Sequence, residues 1–193
     1  MDSKNSNKSF AIVLTIIILL LIGIIIAGII IFNTSAKKII EEEENGADII
    51  LNYSSNDSGL QINNAKPKKD ADGIVNGEYF DFSIETLLDN AEKIEYEISV
   101  VKDEINSTIS DEDIRIYLEK EKEGTYTMVF GPEKFTPLKK DSKFGSKKGS
   151  MPLIEVKKNN STTDNYRLKM WLSEKATTNG TYAVEVEVNA IAK

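Results

Sequence analysis

Asp70 and Asp72 stand two residues apart, immediately ahead of Gly73, in the stretch KDADG. Alternate carboxylates before a turn glycine are how an acidic loop begins to gather oxygens around calcium, a hard cation that takes carboxylate and carbonyl ligands. The later ligands and closing Glu of an EF-hand do not follow, and an ordinary Asp-Gly turn uses the same residues. Asp70 and Asp72 are therefore the metal candidates, with the plain turn as their alternative. A second candidate lies in TPLKKDSKFGSKKGS, residues 136–150, where Lys139, Lys140, Lys143, Lys147 and Lys148 make a basic loop on an acidic chain. Such a loop suits an anionic wall polymer, or serves only to keep a mobile connection solvated. The third candidate is Trp171. Its alternation with Leu168, Met170 and Leu172 places it on the polar face beside Arg167 and Lys169, where an indole can act as a sugar or protein platform or pack at the edge of a core.

Other chemistry is closed off by composition. The chain has no histidine and no cysteine, which removes the usual general base, the commonest metal ligand, thiolate nucleophiles and disulfides. No G-x-S-x-G elbow, H-E-x-x-H, P-loop or dinucleotide fingerprint occurs. A pair of carboxylates hydrolysing a glycoside is what remains, but the Asp and Glu residues mostly alternate along strand-like runs, as solvated charges do. No catalytic residue is assigned and no cofactor is expected beyond calcium. The formal net charge of −7 offers nothing to a nucleic-acid backbone.

These residues must be positioned by two kinds of element. Phe10–Phe32 reads FAIVLTIIILLLIGIIIAGIIIF, with Thr15 its only polar side chain. As a helix it covers roughly 34 Å against a hydrocarbon core of about 30 Å, so it is predicted to span a bilayer as a signal anchor. A cleaved secretory signal is the competing reading. Its apolar region runs only ~7–15 residues, although Thr34-Ser35-Ala36 imitates a cleavage site. Lys4 and Lys8 on one side nearly balance Lys37 and Lys38 on the other. The expected orientation has residues 1–9 inside the cell and the rest outside. Residues 33–46 are expected to be a polar stalk, continuing the helix to Asn45-Gly46.

From residue 47 to 193 the period changes to two. Tyr96, Ile98, Leu168, Met170, Val184 and Val186 are expected to face a core, while Glu95, Glu97, Lys169 and Glu185 face water. Seven or eight such runs predict an all-β domain, an antiparallel sandwich of jelly-roll or Ig-like type. Its last strand, Tyr182–Val188, is expected to be an open edge where another copy could add.

Leu60–Val100 (LQINNAKPKKDADGIVNGEYFDFSIETLLDNAEKIEYEISV) and Tyr166–Ala190 (YRLKMWLSEKATTNGTYAVEVEVNA) resemble the camelysin/TasA type of Gram-positive surface protein. The resemblance lies in a strand, a P…D…G linker, an aromatic-rich strand and an outward-alternating strand, then a closing hairpin. It implies a jelly-roll-like sandwich that is exported and assembles into surface or biofilm-matrix fibres. Camelysin's peptidase activity does not carry over, because no zinc ligand set is present. The expected function is thus a membrane-anchored bacterial surface protein of structural or assembly type. The alternative is a binding module or accessory subunit for a wall polymer or protein partner; a carboxylate hydrolase is the weakest.

Overall fold

The structure, a computed structural model, describes residues 37–42, 47–54, 57–89 and 91–192. The predicted membrane segment 10–32 lies outside them. The strands are β1 (Lys37–Glu42), β2 (Ala47–Tyr53), β3 (Gly59–Asn63), β4 (Glu78–Leu88), β5 (Ile94–Lys102), β6 (Ile114–Lys122), β7 (Thr125–Lys134), β8 (Ser150–Lys158), β9 (Thr162–Leu172) and β10 (Thr181–Ala192), with one short α-helix, α1 (Asp70–Asn76), and a single 3-10 turn at Asp111–Asp113. They form a wide sheet of six strands, β1-β2-β4-β9-β6-β7, and a narrow one of four, β3-β10-β5-β8. The chain is all-β, and each strand pair with an assigned register is antiparallel.

Alternation decides what each sheet turns inward. In the wide sheet Phe80 sits opposite Leu168 and Phe82 opposite Tyr166, while Leu168 and Met170 face Leu118 and Ile116 on the other flank. The narrow sheet answers with Tyr96, Ile98 and Val100 from β5 and Val184, Val186 and Val188 from β10, and all of these residues belong to one core. The six positions expected to point inward are buried. Between β6 and β7 the turn residues Glu123 and Gly124 both have positive φ, 53° and 77°. A two-residue turn of that kind matches the natural twist of a hairpin, and Gly124 meets the requirement at no steric cost.

At one end of the core the sheets are joined by charge. Asp164 of β9 receives Lys158 of β8 at 2.6 Å and Lys120 of β6 at 2.9 Å. The hydroxyl of Tyr96 lies 3.3 Å from the same carboxylate and 3.2 Å from that of Tyr166. Burial pushes the Asp164 carboxyl up, but the hydrogen bonds from Lys158 and Lys120 outweigh it and hold the group below the usual range. Burial also pushes both tyrosine hydroxyls up, so they stay protonated and able to donate.

Several expectations are corrected. The last strand is no open edge: β10 is bonded to β3 over Thr181–Glu185 and to β5 over Val184–Ala192, because β3 folds back along it. Within the expected helical stalk, residues 37–42 are strand. Glu97 and Lys169 point away from the core as expected yet are buried, at 3% and 8% exposure. The segment 136–150 is a packed cover over Glu97. Ser142 donates to its carboxylate at 2.8 Å, Phe144 is buried, and Ser146 meets Ser99 at 3.2 Å and Asn189 at 3.0 Å. Lys169 is covered by α1 and donates to the Ile74 carbonyl at 2.6 Å, with Glu119 at 3.1 Å.

Truncating Ile98 to Ala should cost about 2–5 kcal/mol, as removing a large core side chain does. Glu185→Ala, at an exposed position, should stay within about 0.5 kcal/mol. Glu97→Ala should fall between them, at about 1–3 kcal/mol, because it strands the Ser142 hydroxyl. Urea titrations of the three variants check the order.

The folded pKa of Asp164 lies below its unfolded value, so its contribution to stability is complete above about pH 4 and is lost as pH falls through the lower folded value. Asp164→Asn should destabilise by about 1–3 kcal/mol at pH 7, less than a fully buried pair because Lys120 can reach solvent. The gap to the parent protein should narrow on acidification below about pH 4. Melts from pH 7 to pH 2.5 test this.

Candidate functional site

The five lysines of the 136–150 loop are all exposed, and the loop rests on the outer face of the narrow sheet through Ser142 on Glu97 and Ser146 on Ser99. That face carries Glu95, Glu97, Glu155, Glu185 and Glu187 on neighbouring strands. Lys143 reaches Glu155 at 2.6 Å and lies 4.9 Å from the Phe144 ring centre, and Lys147 is 3.5 Å from Asp141. Asp141 accepts the Lys148 backbone N–H at 2.8 Å, which holds its carboxyl below the usual range. Part of the loop's positive charge is thus answered by the domain itself.

Asp70, Asp72 and Trp171 come together, but around packing. The two aspartates sit in the first turn of α1, where an open calcium loop was the expectation. Trp171 is on the outer face of β9, as expected, yet only 2% exposed because α1 lies across it. Its Nε1 donates to Asp70 at 3.3 Å, and Gly73 rests directly over the indole, leaving no room for a Cβ. Asp72 accepts from the Asn76 amide at 3.4 Å. Among the described residues no three acidic side chains are grouped to hold a metal ion. The indole ring is covered, so it is not a platform.

A carboxylate hydrolase would need its pair in a cleft. Asp57, Asp103 and Glu185 line one of about 360 Å³ beside β3. There the Asp103 carboxylate accepts the Asn106 amide at 2.6 Å and the backbone N–H groups of Ile105 and Asn106 at 2.9 and 3.1 Å. Those donors hold it below the usual carboxylate range and engage both oxygens, a poor arrangement for a proton-transferring group.

The surface that the sequence reading passed over is the outer face of the wide sheet, from β4 to β7. Arg167 in the middle strand gives Asp81 a two-pronged contact, Nε at 2.7 Å and Nη2 at 2.8 Å. Its guanidinium lies 4.3 Å from the ring centres of both Tyr79 and Tyr126. Lys169 with Glu119 and Asn165 with Glu121 continue the polar rows on either side. This lattice ends at β7, whose residues 125–130 read TYTMVF without a charge. Met128 is 60% exposed and Val129 37%. Among the described residues β7 is bonded to β6 alone, leaving its other side as the sheet's edge. The uncharged run between KEKEG and GPEK was a legible signal. The clamp was not, because Tyr79, Tyr126 and Arg167 become neighbours only through the order β4-β9-β6-β7.

The chain matches no known protein-family profile and no curated protein. Among solved structures, the infectious bursal disease virus VP2 subviral particle is similar over 75% of this chain and 32% of its own, at 9% identity and a TM-score of 0.39. This chain therefore spans about a third of the length of that protein.

Gly73→Ala should lift α1 from Trp171 and cost about 1–3 kcal/mol, the usual penalty for overpacking. Native tryptophan emission should move to the red, read against an Asp72→Ala control that leaves the parent spectrum in place.

Proposed function

We propose that the chain is a membrane-tethered cell-surface protein of structural or assembly type, held by residues 10–32 and presenting its β-sandwich outside the cell. The observation that carries this reading is the uncharged apolar run Phe10–Phe32, long enough to cross a bilayer and followed by a compact all-β unit, Lys38–Lys193. The chain passes from sheet to sheet at most connections, β2 to β3 to β4 to β5 to β6, which supports a jelly-roll-like arrangement. A protein of this kind acts by contact, and the outer face of the wide sheet with its β7 edge is the surface it offers.

The five exposed lysines of the 136–150 loop favour a second reading, a module that holds an anionic wall polymer. Retention of such a polymer by the protein, lost on changing Lys139, Lys140 and Lys148 to Gln, would support it. Retention unchanged by that variant would remove it.

For the main reading, the intact chain should stay with membranes through alkaline carbonate extraction. Protease added to whole cells should remove the domain. Release by carbonate, or a domain protected until the membrane is breached, would overturn the tether or its orientation.

A further inference from the structure

We propose that the free edge of β7 pairs with the β7 of a second copy of this chain, antiparallel, about a two-fold axis through Thr127. This supplies a partner for the assembly reading above. Hairpin geometry decides which backbone groups are free. The Glu123-Gly124 turn makes Lys122 and Thr125 the first bonded pair, and Lys120 opposite Thr127 the next, since bonded and non-bonded pairs alternate in an antiparallel ladder. Tyr126 and Met128 flank Thr127 at the alternate, non-bonded positions and aim their N–H and C=O groups away from β6, at the open side.

A two-fold axis through Thr127 places Tyr126 of one copy opposite Met128 of the other. Each such pair exchanges two backbone hydrogen bonds, which gives four across the ladder. Tyr126 and Met128 share the outer face, so each exposed methionine meets a tyrosine ring already braced by Arg167, a favourable sulfur–aromatic contact. Thr125 then faces Val129, and no charge opposes another over the paired stretch. Six uncharged residues rich in Thr, Tyr, Val and Phe are the composition that adds most readily as a strand.

The ladder is also limited in length. The β6–β7 register shifts on either side of Leu118, opposite Phe130, and Pro132 has no N–H to give. An isologous pair closes on itself, so the edge is consumed in a dimer and does not propagate as a continuous sheet. Other edges suit this less. β8 presents Glu155 and Lys157, and β3 is five residues long with Gln61 and Asn63 on its outward side.

The absence of cysteine makes the test clean. At a non-bonded antiparallel pair the Cα atoms lie about 4.5 Å apart, within disulfide reach. The full-length chain carrying Thr127→Cys, in native membranes and again in detergent, is treated with a mild oxidant and run without reductant. A disulfide dimer well above that of Gln61→Cys is the expected result. Adding Met128→Lys, an exposed change that should leave the melt in place, should reduce the dimer about tenfold, because the lysine replaces the methionine against a Tyr126 ring that already carries the second copy's Arg167 guanidinium. Equal cross-linking at positions 61 and 127, as a dimer through the apolar helix alone would give, overturns the proposal. So does a Met128→Lys variant that cross-links as before. Carbonate extraction and protease access read the tether independently, so either idea can fail without the other.

Discussion

A six-stranded sheet stacked on a four-stranded one cannot be covered across its whole width, and that mismatch governs the molecule. Strands near the middle of the wide sheet, β4, β9 and β6, receive the narrow sheet's apolar face and are buried along their inward sides. β7 lies at the margin of that cover: it contains no fully buried residue, and of its side chains Phe130 alone packs against the core. Its pairing to β6 therefore carries most of what holds it in place. Hydrogen bonding with so little hydrophobic cover makes a marginal element, and one way to secure such an edge is to give it something to pair with.

Within the covered region the two layers are aligned by polar contacts as well as by packing. Asp164 with Lys120, Lys158, Tyr96 and Tyr166 ties four strands from both sheets at one end. Asp111 accepts from Tyr182 at 2.9 Å and pairs with Lys102 at 3.0 Å elsewhere on the core's margin. Desolvating such groups offsets much of their mutual attraction, so their net effect on stability is small. Their geometric demand is large. A slip of one residue in β9 would carry Asp164 to the outer face and leave two lysines facing each other, so the register is fixed by charge as well as by apolar pattern.

The period-two pattern was legible because each strand buries one face, and Tyr96, Ile98, Leu168, Met170, Val184 and Val186 obey it. Outward residues were read correctly in direction and wrongly in exposure. Alternation says which face a side chain takes but not what lies over that face, so Glu97 and Lys169 looked solvated while a loop and a helix covered them. Residues 136–150 looked mobile because their composition is polar, yet Phe144 is buried and two serines, Ser142 and Ser146, anchor the segment to strands far away in sequence. Strand order is also invisible to local pattern. That is why Tyr182–Val188 read as an edge, and why TYTMVF did not stand out as the edge it is.

Trp171 is the sole indole of the chain and lies at the seam between the outer face of β9 and α1. Its fluorescence is consequently an intrinsic gauge of one joint, uncontaminated by any other tryptophan. Helix α1 is seven residues long and rests on the sheet through Gly73 and the Asp70 and Lys169 contacts. A helix that short has little stability of its own, so it can part from the sheet while both layers stay folded. The indole would then report wetting of the seam at denaturant concentrations where far-ultraviolet dichroism still reads an intact β structure. The separation between the two signals measures how loosely the molecule wears its only α-helix among the described residues.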